Sequence, residues 1–402
     1  MAAGESRAGS EAAEMSGMPR VFWWLWSGAL ISSLATFVFP FLALYLTARG
    51  FDAQQTGLLV SLLGVGSIAA GPLAGTIADR FGRRPAVLSA LVGSALAAAF
   101  LGFVRQPLLI APGVFVFGVS AAMMYPAVNA TVADVLPAAD VQRGYGLLYW
   151  ANNLGIGISA LVGGFFASRS WLGLFLCDAA TTLLFAAVVW RRVPESRPAP
   201  SPHLAQRGWR TLISDRALVG FLAAQFAFML VFWQFQFALP IAMARDGLGA
   251  AAYGRLVAVN CVLILVVQPF ATRFVQRFEE GHALAAASIF LGAGYGAYAF
   301  CTTATQYFLA TMVWSVGEVT GLPAASALVA RLAPEDLRGR YQGAFSFCMS
   351  VAMTVAPIAS GAIIDRAGMR ALWAVCLGLG LTASLSHLAL AVSRRARAAA
   401  QA

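Results

Sequence analysis

Residues 125–146 read YPAVNATVADVLPAADVQRGYG, and residues 322–343 read LPAASALVARLAPEDLRGRYQG. Laid over one another, they set Pro126 on Pro323 and Pro137 on Pro334, a spacing of 197 residues. The same spacing brings GPLAGTIADRF at 71–81 onto QPFATRFVQRF at 268–278, and ASR at 167–169 onto IDR at 364–366. Matched blocks at one spacing mark an internal repeat.

The chain between these blocks is apolar. Of its 402 residues, 60% are hydrophobic and 11% charged, where a soluble domain is nearer half apolar and a quarter charged. No soluble fold could cover that much apolar surface, so the lipid bilayer is the expected solvent. A spanning helix needs roughly 20 apolar residues. Charges and Gly/Pro turns divide the chain into twelve such runs, near 21–47, 54–78, 86–104, 108–131, 143–167 and 171–190, then 217–243, 253–275, 283–303, 306–330, 341–364 and 370–393. They are too long and too uniformly apolar for the alternating strands of a barrel. The expected fold is all-α, two six-helix bundles. Six is even, so both copies have one orientation and are parallel repeats about an axis along the membrane normal.

The 27 basic residues are all arginine. With the N-terminus in the cytoplasm, twenty of them fall in cytoplasmic tails and loops and seven outside, a strongly positive-inside distribution. Both termini are therefore expected in the cytoplasm. The net charge of +10 is explained by this topology, and no nucleic-acid partner is implied. The first twenty residues lack the short apolar core and cleavage site of a signal peptide. The domain reading is a tail at 1–20, a bundle at 21–190, a Pro/Arg/Ser-rich cytoplasmic linker at 191–216, a second bundle at 217–393 and a tail at 394–402. The five cysteines lie in apolar runs without metal-ligand spacing. They read as small buried hydrophobes, and neither a metal nor a cofactor is expected.

After the second run stands Gly75-Thr-Ile-Ala-Asp79-Arg80-Phe-Gly82-Arg83-Arg84. This resembles the cytoplasmic loop signature of the major facilitator superfamily, G-x-x-x-D-R-x-G-R-R, and the twelve runs, the 6+6 repeat and the long middle loop extend the resemblance over the whole chain. Physically, Gly75 permits close helix packing, Asp79 can accept hydrogen bonds from a neighbouring helix N-terminus, and Gly82 permits a tight turn. Arg83 and Arg84 can pair with carboxylates or lipid phosphates. In the family this loop latches the two halves when the cavity opens outward, with an acid at the end of the fourth helix as partner, here Asp134. In the second copy Gln276 stands for Asp79 and Glu279-Glu280 for Gly82-Arg83, so the latch is expected on one side only.

Acids at membrane depth are expensive, and mark candidate functional sites. Glu318, in TMVWSVGEVTGLP, lies near mid-membrane by the rise of a helix. Its repeat mate is Ala121, so the architecture does not demand an acid there. Desolvation penalises the charged form, and Glu318 could gain and lose a proton as a cavity alternates. The segment resembles the tenth helix of bacterial multidrug:proton antiporters, which implies a proton site that also meets cationic substrates. Asp178, in FLCDAATTLLF, reads as a structural hydrogen-bonding group, with a second titrating site as the alternative.

A substrate cavity could be lined by Tyr125 and Asn129 on the fourth run, Trp150 and Asn153 on the fifth, and Trp233, Gln234 and Gln236 on the seventh. Asn260 on the eighth and Trp314, four residues before Glu318, complete the set. Two features depart from the antiporter pattern: Val114 stands where many relatives bury an arginine, and Ser159-Ala160 replace the Gly-Pro centre of the fifth helix. The leading expectation is proton-coupled efflux of small amphipathic compounds by a monomer in the bacterial inner membrane. The alternatives are proton-coupled movement of a metabolite such as a sugar and, remotely, a channel or receptor. No nucleophile triad, metal cluster or phosphate loop suggests an enzyme.

Overall fold

The computed structural model describes residues 18–34, 36–137, 140–195, 212–275, 277–334 and 337–401; a few side chains within these ranges, those of Asp79 and Tyr125 among them, lie outside the description. Among the described residues the regular structure is entirely helical. The N-terminal half holds α1 (Arg20–Ser33), α2 (Val38–Ala48), α3 (Ala53–Phe81), α4 (Arg83–Phe103), α5 (Pro107–Val135), α6 (Val141–Ala167) and α7 (Trp171–Arg192). The C-terminal half holds α8 (Arg216–Phe232), α9 (Ala238–Arg245), α10 (Ala250–Val275), α11 (Glu280–Ala297), α12 (Ala304–Leu332), α13 (Arg338–Ala367) and α14 (Met369–Gln401). In the bilayer each backbone N–H and C=O must find a partner within the protein, and long helices supply it.

Eleven helices or helix pairs among the described residues are long and apolar enough to cross a membrane. The remaining expected run, 143–167, folds as α6, an unbroken helix of 27 residues. Its composition sets it apart, because Tyr149, Trp150, Asn152 and Asn153 interrupt the apolar sequence. Most of the expected linker, residues 196–211, falls outside the described residues.

Two runs expected as continuous helices are broken. The first breaks between α1 and α2. The seventh breaks between α8 and α9, where Trp233–Phe235 form a single 3-10 turn. Thr36 and Trp233 are repeat mates at the 197-residue spacing, so the breaks correspond. Neighbouring helices satisfy the freed backbone groups, as a break at membrane depth requires. At the first, Asp178 Oδ2 accepts from the N–H groups of Phe37 and Val38 at 2.9 and 3.1 Å, and Ser159 Oγ donates to Thr36 O. At the second, Tyr295 donates to Phe232 O and Tyr253 to Phe235 O. The turns after the broken pairs also correspond: Gly50 and Gly247, again 197 apart, both have positive φ, +89° and +77°.

The halves meet along two seams, α3 against α13 and α6 against α10. At the Gly50 end both seams are tight. A Cβ added to Gly57 would stand 2.2 Å from Pro357 O, and one on Gly254 2.2 Å from Ala160 O. The carboxylate of Asp365 in α13 also accepts from the backbone N–H of Gln54 at 2.7 Å, at the positive N-terminus of α3. Midway, Ser67 and Ser350 hydroxyls meet at 3.0 Å. Beyond them the seam opens: no described atom lies within 4 Å of a Cβ built on Gly71, Gly75, Gly339 or Gly343. The halves therefore converge at the Gly50 end and diverge towards the end that carries Gly82.

Candidate functional site

Glu318 faces the space between the halves. Gly317 presses against α11, where a Cβ would come 2.5 Å from Ala287 O. One residue on, the helix has turned by about 100°, which directs Glu318 to α10. There Asn260 Nδ2 donates to Glu318 Oε2 at 2.9 Å and to Ser315 Oγ at 2.8 Å, and Ser315 Oγ donates to Thr311 O at 2.8 Å. Glu318 lines a cavity of about 300 Å³ together with Gln268, Pro323 and Ser326 of the C-terminal half and Tyr149 of the N-terminal half. Tyr149 donates to Gln268 Oε1 at 3.0 Å. One carboxyl, one amide, two hydroxyls and aliphatic walls can bind a proton or a cation and shelter a partly apolar solute.

Asn260, buried at 7% exposure, is the member of the expected cavity set that touches this site, through its bond to Glu318. The others whose side chains are described lie elsewhere. Trp314 is 2% exposed and donates to Tyr298 Oη at 2.7 Å inside an aromatic cluster with Tyr295. The turn that brings Trp314 near Glu318 in sequence points it into the packed core. Trp233 donates to Met349 O and stands edge-on to Phe39 of the other half. Gln234, in the 3-10 turn, donates back to Leu230 O in the last turn of α8, and Gln236 is half-buried at the end of the break. Asn129 borders a void of only about 20 Å³ inside the N-terminal half. Trp150 is exposed, and Asn153 bonds back to Tyr149 O. The side chain of Tyr125 lies outside the described ones.

Asp178, 4% exposed, sits at the first-run break and away from the Glu318 cavity. It belongs to a helix-capping contact.

The segment expected as a loop at 75–84 is mostly helical: residues 75–81 end α3, Arg83 and Arg84 begin α4, and Gly82 makes the turn between them with φ +104°. Arg83 Nε pairs with Asp134 Oδ2 at 3.1 Å. Arg84 donates to Trp190 O and lies over the Trp190 ring, while Arg80 lies over Phe81. The side chain of Asp79 lies outside the described ones. The expectation that Gly75 packs against a helix is not met in this conformation, because the seam is open at its level.

Sequence reading missed Tyr149, Gln268 and Ser315. Gln268 had a signal, since its repeat mate is Gly71: a polar side chain without a counterpart, as with Glu318 and Ala121. Tyr149 had none, because only the packing of α6 on α10 brings it to the cavity.

The family model of the Major Facilitator Superfamily matches residues 25–318 and 223–401. The chain is 25% identical over 358 residues to a Na(+), Li(+), K(+)/H(+) antiporter of Planococcus maritimus, covering 80% of this chain and 84% of that protein. It is 24% identical over 337 residues to multidrug resistance protein MdtH of Salmonella arizonae, covering 82% of each. The fold superposes on the crystal structure of the nucleoside transporter NupG with a TM-score of 0.74 at 13% identity, covering 92% of this chain and 99% of that one. The repeat, the loop at 75–84, the two corresponding helix breaks and these matches lead to one conclusion: the chain belongs to the Major Facilitator Superfamily of membrane transporters.

Proposed function

We propose that this transporter exports small amphipathic, cationic compounds in exchange for protons, with Glu318 as the proton carrier. The observation that carries the reading is the placement of Glu318: an acid at membrane depth, on the wall of a cavity between the halves. The likeness to MdtH, a multidrug resistance protein, supports efflux. The arginine distribution orients the chain in the bacterial inner membrane with both termini cytoplasmic. In that orientation the conformation described here opens inward. The cycle protonates Glu318 from outside, rocks the halves about the midplane site, releases the proton inside and loads substrate. Asp178 takes the structural role, and the 75–84 loop latches the opposite conformation.

The test is export of a lipophilic cationic dye from efflux-deficient bacteria. Wild type should export, and both Glu318→Gln and a protonophore should abolish export at equal membrane expression. Persistent export by Glu318→Gln would remove Glu318 from the mechanism.

A second reading is exchange of an alkali cation for protons at the same carboxylate. It is favoured by the likeness to the Planococcus maritimus antiporter and by the oxygens of Tyr149, Gln268 and Ser326 that share the cavity wall with Glu318. Cation-induced proton movement in everted vesicles, without dye transport, would select it.

A further inference from the structure

The bonds around Asn260 form a directed chain. Ser315 Oγ lies 2.8 Å from Thr311 O, and a carbonyl oxygen only accepts. The single hydroxyl hydrogen of Ser315 is committed there, so Oγ can only accept from its other neighbour. That neighbour, Asn260 at 2.8 Å, must then present its NH₂ group. The reverse orientation would set Oδ1 against Oγ with no hydrogen between them unless the hydroxyl gave up its bond to Thr311 O. The same Nδ2 stands 2.9 Å from Glu318 Oε2, and its second hydrogen goes to the carboxylate. One amino group thus serves two acceptors, and its orientation is fixed by a serine that is itself 2% exposed.

We propose that Ser315 is a positioning residue for proton exchange at Glu318: acting through Asn260, it holds an N–H donor on Oε2 and confines the exchangeable proton to Oε1. The proposal rests on the reading of Glu318 as the proton carrier. The amide hydrogen takes one lone pair of Oε2 and makes it the less basic oxygen, so the proton is gained and lost at Oε1. A donor held on a carboxylate favours its ionised form. Were Asn260 free to turn, Oδ1 would face Glu318 and accept from the protonated acid, favouring the neutral form. The serine therefore fixes the sign of the effect of Asn260. A serine that merely back-bonds to its own helix, as many do, would leave Asn260 free and have no such influence.

The titratable groups facing Glu318 are Tyr149 across the cavity on α6, Cys261 on α10 and Tyr295 on α11. Phenols and thiols ordinarily ionise well above pH 7. Among the described residues, no arginine and no second carboxylate lines the cavity. Over the neutral range no charged neighbour on the cavity wall competes, and the local donor modulates the proton affinity that burial sets.

The experiment follows modification of Glu318 by a carbodiimide, which attacks protonated carboxyls, as a function of pH. The purified full-length protein is used and the Glu318 peptide is quantified by mass spectrometry. This readout needs no transported substrate, so it stays informative if dye export fails. Ser315→Ala should move the midpoint of labelling to higher pH by about one unit, a tenfold rise in proton affinity. Ser315→Thr, which keeps the hydroxyl, should restore the wild-type midpoint. Asn260→Leu should also shift it, and Ser315→Ala should add nothing in that background, because the two act as one unit. Superimposed profiles for Ser315→Ala and wild type would overturn the proposal. So would an equal shift in Ser315→Thr, or additive shifts in the double variant.

Discussion

The phenol of Tyr149 in α6 donates to Oε1 of Gln268 in α10 at 3.0 Å, and both side chains stand on the wall of the Glu318 cavity. The bond ties one half of the transporter to the other on the side of the molecule where the α3–α13 seam has already opened.

Removing that tie should loosen the mouth of the cavity. A neutral hydrogen bond contributes about 0.5–1.5 kcal/mol net. Tyr149→Phe should therefore raise the accessibility of a cysteine placed at Ser326 by about two- to tenfold. The measurement is the rate of thiol labelling in a background lacking the five native cysteines. An unchanged rate would mean that the bond does not restrain the mouth.

Glycines at the Gly50 end should be intolerant in this conformation, and those near Gly82 permissive. Gly57→Ala drives a Cβ onto Pro357 O, a backbone atom that cannot swing aside. Overpacking of this kind costs about 1–3 kcal/mol. The seam should part at that end, and spin labels on Arg80 and Arg340 should move closer. Gly75→Ala meets no described atom, so it should leave the label distance unchanged and penalise only the opposite conformation, where the loop would close.

Asp178 should prove to be a stability residue. Its carboxylate takes two buried backbone N–H groups, and leaving such donors unmet costs about 1–3 kcal/mol each. Asp178→Leu should sharply lower the yield and melting temperature of the folded protein. Asp178→Asn keeps an acceptor oxygen and should retain most of the stability and all of the proton dependence of transport. Loss of proton coupling in a well-folded Asp178→Asn would return the residue to the transport mechanism.

The Arg83–Asp134 pair should couple weakly. Its side chains are 23% and 29% exposed, and partly solvated pairs contribute about 0.2–1 kcal/mol. A double-mutant cycle on thermal stability should return a coupling in that range, with neither single variant unfolding the protein. A coupling above about 2 kcal/mol, beyond the range of solvated pairs, would show the pair to be a structural tie of the N-terminal half.

Hydropathy and the repeat were enough to set the membrane architecture. Twelve apolar runs, a parallel repeat at a spacing of 197 and the loop at 75–84 suffice, because the bilayer leaves a long apolar segment little choice but a helix. Glu318 was legible too, since its cost at membrane depth makes it conspicuous. The rest came only with packing. The breaks at Thr36 and Trp233 depend on side chains of other helices, Asp178, Tyr253 and Tyr295, that satisfy the freed backbone. Helical spacing put Trp314 beside Glu318, but packing turned the indole into an aromatic core. Tyr149 and Gln268 acquire their roles only where two helices from different halves cross, and no local pattern encodes that crossing. Hydropathy is a property of one segment against its solvent, whereas a site between two bundles is a property of pairs, and pairs are fixed only when the helices pack.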